Sequence, residues 1–126
     1  MEQVLRYELV SAIPELRGQI YPTNAPEIAT KPYLVYARIN TDRTKTLDGY
    51  TDKQALTYMF SVMATKYADM KALSDQVEKL LLSFPGKSIG TEGGFFIEDL
   101  KINNISETYE FELRVNRGII DFTIYF

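Results

Sequence analysis

Apolar positions recur along this chain with two periods, and the switches between them mark its elements. Over residues 2–13, Leu5, Leu9 and Ala12, with Leu16 just beyond, fall on one helical face. Pro14 should end or kink this helix, and Gly18 is its stop. Residues 19–21 read as a short strand. Pro22, Asn24, Pro26 and Pro32 make 22–32 a surface connection. Residues 33–40 are rich in strand formers. Residues 41–53 are polar, with 44–47 a possible strand edge and Asp48-Gly49 a turn signal.

The clearest strand is 54–65. Leu56, Tyr58, Phe60, Val62 and Ala64 share one face, and Thr57, Met59, Ser61 and Met63 share the other. The clearest helix is 67–84, where Met70, Leu73, Val77, Leu80, Leu81 and Phe84 form a stripe that ends at Pro85-Gly86. On its polar side Asp75 and Lys79 are spaced for an ion pair. Gly90, Gly93 and Gly94 mark a turn. Residues 95–105 read as a strand with a bulge or bend at Asn103-Asn104.

Over 107–117, Tyr109, Phe111, Leu113 and Val115 alternate with Glu110, Glu112 and Arg114. Over 119–126, Ile120, Phe122, Ile124 and Phe126 share a face. Gly118 between them suits a bulge or tight turn, so 107–126 is either one bent strand or a hairpin. The order helix, strand, strand, helix, strand, strand, with short loops, predicts one α+β domain over residues 1–126. An antiparallel sheet would carry both helices on one face.

The chain of 126 residues is long enough to bury a core without a disulfide or metal staple. It contains no cysteine and no histidine, which removes thiol nucleophiles, cysteine zinc sites and the commonest general base. No cofactor or metal site is expected. No apolar run reaches the length of a signal peptide or membrane span, so a soluble start in a cytoplasm is expected. The net charge of −3 argues against binding a phosphate backbone. The densest basic stretch, Arg43, Lys45 and Lys53, is interrupted by Asp42, Asp48 and Asp52.

Carboxylates are the remaining acid–base groups. Glu98 and Asp99 are adjacent on a strand and point to opposite faces. Glu110 and Glu112 would share a face, which the alternation makes a solvent face or partner surface. Gly86-Lys87-Ser88 ends like a phosphate loop, but Leu81 stands where the first glycine belongs and a helix precedes it. The 9 Tyr and 7 Phe sit at strand spacing with few interleaved bases, which fits core and protein interfaces better than base stacking. Asp121 interrupts the apolar run 119–126. It is either the outward charge of an edge strand or a charge that lines an interface or ring.

In order along nearly the whole chain stand Tyr21-Pro22-Thr23-Asn24-Ala25-Pro26, Pro32-Tyr33-Leu34-Val35-Tyr36, Thr46-Leu47-Asp48-Gly49 and Arg117-Gly118-Ile119-Ile120-Asp121-Phe122. This series resembles the tail completion proteins of long-tailed bacteriophages and prophages. The resemblance implies a structural, non-enzymatic α+β subunit of the virion, assembled in the host cytoplasm. It would cap the tail tube as a tail terminator, form a six-subunit ring and make the tail side of the head–tail joint. Its implied partners are copies of itself, the major tail tube protein and a head-completion or stopper protein, with DNA passing through unbound and no membrane contact. The projecting segments 41–53 and 86–94 supply the candidate interface residues Arg43, Lys45, Leu47, Tyr50, Lys87 and Phe95. Glu110, Glu112 and Asp121 are the candidate acidic surface or lumen. The competing readings are a head-side adaptor or stopper, a monomeric binding domain, and a small hydrolase gathering Glu98, Glu110 or Glu112 in a pocket.

Overall fold

A five-stranded sheet carries two helices on one face, and no described helix or strand covers its other, open face. The structure, a computed structural model, describes residues 1–22, 32–91 and 94–126, without the side chains of Thr44, Tyr50, Thr51 and Asp52. The elements are α1 (Glu2–Ala12), β1 (Ile20–Pro22), β2 (Tyr33–Thr46), β3 (Gly49–Ala64), α2 (Tyr67–Leu82), β4 (Lys87–Ile89), β5 (Phe95–Ile97), β6 (Asp99–Glu110) and β7 (Val115–Tyr125). The sheet order is β1-β2-β3-β7-β6, antiparallel except for β1 beside β2. The expected α+β class therefore stands, with one parallel pair added. Thr23, Asn24, Ala25, Pro26 and Gly93 lie outside the described residues.

α1 ends at Ala12 because Pro14 cannot continue it, and a 3-10 turn, Pro14–Leu16, follows. Leu5, Leu9 and Leu16 are buried, while Ala12 is exposed and Ile13 takes its place in the core. α2 buries Met70, Leu73, Val77 and Leu81, and Phe84 follows just past its end. Asp75 pairs with Lys71 at 3.7 Å, and Lys71 also reaches Glu107 on β6 at 3.6 Å. The expected Asp75–Lys79 pair is absent among the described residues, because Lys71 already bridges helix and sheet. Between the layers, Tyr58, Phe60 and Phe122 form the aromatic centre, with Phe60 and Phe122 edge to face at 4.8 Å.

Two regions differ from the sequence reading, and a third, 107–126, takes its hairpin alternative with the turn in another place. Residues 41–53 form a hairpin rather than a polar loop: β2 and β3 turn at Leu47-Asp48, and Gly49 adopts φ +118. Residues 87–97 contain a small separate hairpin, β4 with β5. The chain reverses at 111–114, so 107–126 is a hairpin whose turn is Phe111-Glu112-Leu113-Arg114. Gly118 is no turn. It lies within β7, between Val62 on β3 and Glu107 on β6. A Cβ there would stand 2.5 Å from Ser74 Oγ and 2.8 Å from Met70 Sδ, so glycine is what lets α2 lie this close to the sheet. The bulge expected at Asn103-Asn104 is present, as a register shift between Ile102 and Asn104.

Candidate assembly interface

Residues whose neighbours are buried under the helices point to the open face. On β3 and β7 these are Thr57, Met59, Ser61 and Met63, with Arg117, Ile119, Asp121 and Thr123. The face is largely polar and internally bonded. Arg117 donates from Nε and Nη2 to Ser61 Oγ, at 3.1 and 2.9 Å, and from Nη1 to Glu110 Oε1 at 3.1 Å. Thr57 and Thr123 share a 2.9 Å hydrogen bond, and Asn103 Nδ2 donates to Thr123 Oγ1. At one end Tyr33, Met63 and Val115 form a small second cluster.

Asp121 sits on this face, flanked by Met59 and Asn104, with its Oδ1 buried and unpartnered. β7 runs between β3 and β6, so Asp121 is not the charge of an edge strand. Glu110 ends β6 and is tied to Arg117, whereas Glu112 lies exposed in the following turn. The alternation that placed them on one strand face fails because the strand stops between them. Glu98 precedes β6 and pairs with Lys53. The length of β6 separates Glu98 from Glu110 by roughly 35–40 Å, so no pocket gathers them. Among the described residues no group of three or more acidic side chains could hold a metal ion.

The projecting segments differ in character. The β2–β3 hairpin extends past Gln54, whose backbone is the last bonded to Phe126, by about 17 Å. Arg43, Lys45 and Leu47 are exposed near its tip, and the backbone of Tyr50 pairs with Lys45. Residues 86–91 are held instead. Gly90 donates its N–H to Glu8 Oε1 at 2.7 Å, and Ile89 is buried. Lys87 is exposed, while Phe95 packs edge to face on Phe126 at 5.0 Å. These six residues therefore divide between a projecting arm and a docked hairpin.

Sequence reasoning missed the turn at the opposite end of the sheet. Phe111 is 82% exposed and Leu113 58%, beside Tyr109, whose ring meets Phe111 at 5.1 Å. Arg114 closes this turn at φ 55, a conformation that non-glycine residues rarely adopt. The signal was present as large apolar residues between charges, but it has the same period as a strand.

One charged cluster stabilises the layer contact. Burial pushes the Glu2 carboxyl upward, but a hydrogen bond from its own amide, Arg38 and the terminal ammonium outweigh it and hold its pKa below the usual value. Arg38 Nε lies 3.3 Å from Glu2. Burial, with the Glu2 charge nearby, raises the Tyr58 phenol well above its ordinary value. The Tyr58 hydroxyl itself is buried without a hydrogen-bond partner in acceptable geometry.

The described residues form two packed layers with large apolar side chains exposed at the turns, Leu47 at one end and Phe111 and Leu113 at the other. The family described as Tail completion protein gp17 matches residues 7–126, and the chain belongs to it. It is thus a structural, non-enzymatic tail component of a phage-like virion. Among solved structures, a chain of the virion of a native gene transfer agent (GTA) particle is similar, with a TM-score of 0.71 and 11% identity. That match covers 99% of this chain and 92% of the other, and shows a shared fold. No curated protein matches. No described helix is long and apolar enough to cross a membrane.

Proposed function

We propose that residues 1–126 act as one unit that caps the end of the tail tube as a six-membered ring and forms the tail side of the head–tail joint. The observation that carries this reading is the pair of unlike edge strands on one sheet among the described residues, short β1 on one side and long β6 on the other. Unlike edges support the head-to-tail contacts that close a ring. The projecting β2–β3 arm, with Arg43, Lys45, Leu47 and Tyr50, and the docked hairpin with Lys87 and Phe95 lie toward one end of the strands. The Phe111-Leu113 turn lies at the other. A subunit with two chemically different ends suits a position between two different partners. These would be the major tail tube protein and a head-completion or stopper protein. The open face, with Asp121 and Glu110, lines the channel, and Glu112 lies at its rim. Its carboxylates keep passing DNA from sticking.

The test is negative-stain microscopy of lysates from a phage lacking this gene. Separate heads beside tails of abnormal length, rescued by added protein, are expected. Heads that lose DNA beside tails of normal length would place the protein on the head side as an adaptor or stopper. Normal infectious particles would remove it from assembly.

A further inference from the structure

We infer that the edge of β6, walled on one side by α2, takes an extended segment of a different protein as a further strand of the sheet. This does not rest on the ring reading, because the edge is open in a single copy. In a ring the added strand would lie at the seam between neighbours. β6 is 12 residues long, about twice the common strand length, and ends the sheet, paired with β7 alone. The Leu100 N–H donates to Asp99 Oδ1, and the other outward backbone groups of residues 100–110 have no partner among the described residues. An edge of this length is ordinarily shortened, charged or covered. This one has a single bulge at Asn103 and shows Ile105 and Tyr109 to solvent.

The shape beside this edge is a trough. α2 lies mainly over β7 and β3, so its flank stands beside β6 as a wall. Near the start of α2, Lys71 reaches Glu107, and Glu107 also raises the pKa of the neighbouring Tyr67 phenol. At the other end of the helix, Leu82 borders residues 98–102. Helix and strand therefore run antiparallel, side by side. From Tyr67 to Leu82 the helix rises about 22 Å, the length of roughly seven strand residues. Tyr67 and Leu82, at the two ends of the wall, are both exposed. The groove under Leu82 is lined by Leu100 and Ile102, which face the helices, and by Lys101 and Tyr125, which face the other way. It thus wraps the strand edge instead of lying on one face. Lys71 stands where a helix over β6 would have to lie, whereas a strand beside β6 leaves its bond to Glu107 intact.

Glu78 sets the chemistry of the occupant. It is half-buried in the crevice between α2 and β6, beside Ile105, Ser106 and Glu107. Lys71 serves Asp75 and Glu107, but Glu78 has no hydrogen bond or ion pair among the described residues. A half-buried carboxylate without a partner favours an incoming cation. The added strand therefore carries apolar residues at alternate positions, to lie beside Ile105, Tyr109 and Leu82, with one Lys or Arg among them for Glu78. A second β6 does not fit this description. Its helix-side residues Leu100, Ile102, Ile105, Glu107 and Tyr109 include no base. The edge strands β1, β4 and β5, at 3 residues each, are too short to fill the trough.

The probe is a capped peptide, Thr-Val-Thr-Arg-Thr-Val-Thr, titrated into isotope-labelled full-length protein and followed by nuclear magnetic resonance. Amide signals should move along 101–109 and at Tyr67, Glu78 and Leu82, and the outward amides of β6 should gain protection from hydrogen exchange. Exchanging the central Arg of the peptide for Glu should weaken binding about tenfold, and Glu78→Lys should invert that preference. A peptide methylated on every backbone nitrogen should not bind, because strand pairing needs those groups. No shift at millimolar peptide, shifts confined to the open face, or equal binding of the methylated peptide would overturn the added strand. Equal affinity of wild type and E78K for the Arg peptide would overturn the occupant described. Movement of the same amides with protein concentration alone would give the edge to a second copy and overturn a strand from another protein. None of these readings involves tube ends, so they stand or fall apart from the ring.

Discussion

Replacing Gly118 by alanine tests how closely α2 lies on the sheet. The new methyl would stand 2.5 Å from Ser74 Oγ and 2.8 Å from Met70 Sδ, both too near for any real Cβ. Met70 ends in a flexible thioether that can swing aside for about 1 kcal/mol. Ser74 Oγ can leave only by rotating about χ1, and the buried position of Ser74 under α2 opposes that turn. Overpacking of this kind costs ~1–3 kcal/mol, which lowers Tm by about 4 °C per kcal/mol in a domain of this size. Ser74→Ala removes the offending oxygen and leaves the Ser74 Cβ at 3.6 Å, an ordinary contact. Ser74 Oγ makes only a weak 3.5 Å bond to Met70 Sδ, so S74A alone should lie within ~0.5 kcal/mol of wild type. The double variant should therefore recover ~1 kcal/mol or more of the loss. Urea unfolding of the four proteins, followed by circular dichroism, measures that coupling. A G118A protein as stable as wild type, or a double variant no better than G118A, would refute the close approach.

Tyr58→Phe removes a buried hydroxyl that lies near the Glu2 carboxylate without a well-formed hydrogen bond, and should change stability by less than ~1 kcal/mol in the same assay. Arg114→Gly relieves the φ 55 backbone and should raise Tm, by about 0.5–1 kcal/mol of stability, without changing assembly. The Glu2 carboxyl is held below its ordinary 4.5, so its charge supports the fold above that pH and this support is lost as pH falls through the folded-state value. The stability gap between wild type and Glu2→Gln should accordingly be full at pH 7 and narrow as the solution is acidified below 4.5, as seen in melting curves over that range.

Where burial imposes a period, the sequence is readable. α1, β3 and α2 each press one face into the core, and Leu5 and Leu9, the even positions 56–64, and Met70 through Leu81 show it directly. The arm of β2 and β3 is exposed beyond the sheet, so nothing selects apolar residues there and its strands read as loop. The turn at 111–114 misleads for the opposite reason. Its apolar residues are kept at period two although none is buried, so it imitates a strand and carries Glu112 away from Glu110. Gly118 shows a further limit. Sequence marks it as a place where the backbone needs freedom, but its purpose is the space required by Ser74, which lies on a different element. Of the candidate residues, exposure at Arg43, Lys45, Leu47 and Lys87 follows from local polarity. The unpartnered burial of Asp121 depends on neighbours that no local pattern reveals.

The order in which this sheet closes follows from its pairing. β2 with β3, and β6 with β7, are neighbours in sequence and can zip from their own turns. The junction between those two units joins residues more than fifty positions apart, as in Ala64 opposite Asn116. Loop-closure entropy must be met there before any contact rewards it, which places folding in the slower range of milliseconds to seconds. Gly118 sits in that junction and α2 lies over it, so the helix acts as the clasp. Until it seats, the molecule is two hairpins with four open edges, the state in which a newly made subunit is most exposed to pairing with the wrong neighbour.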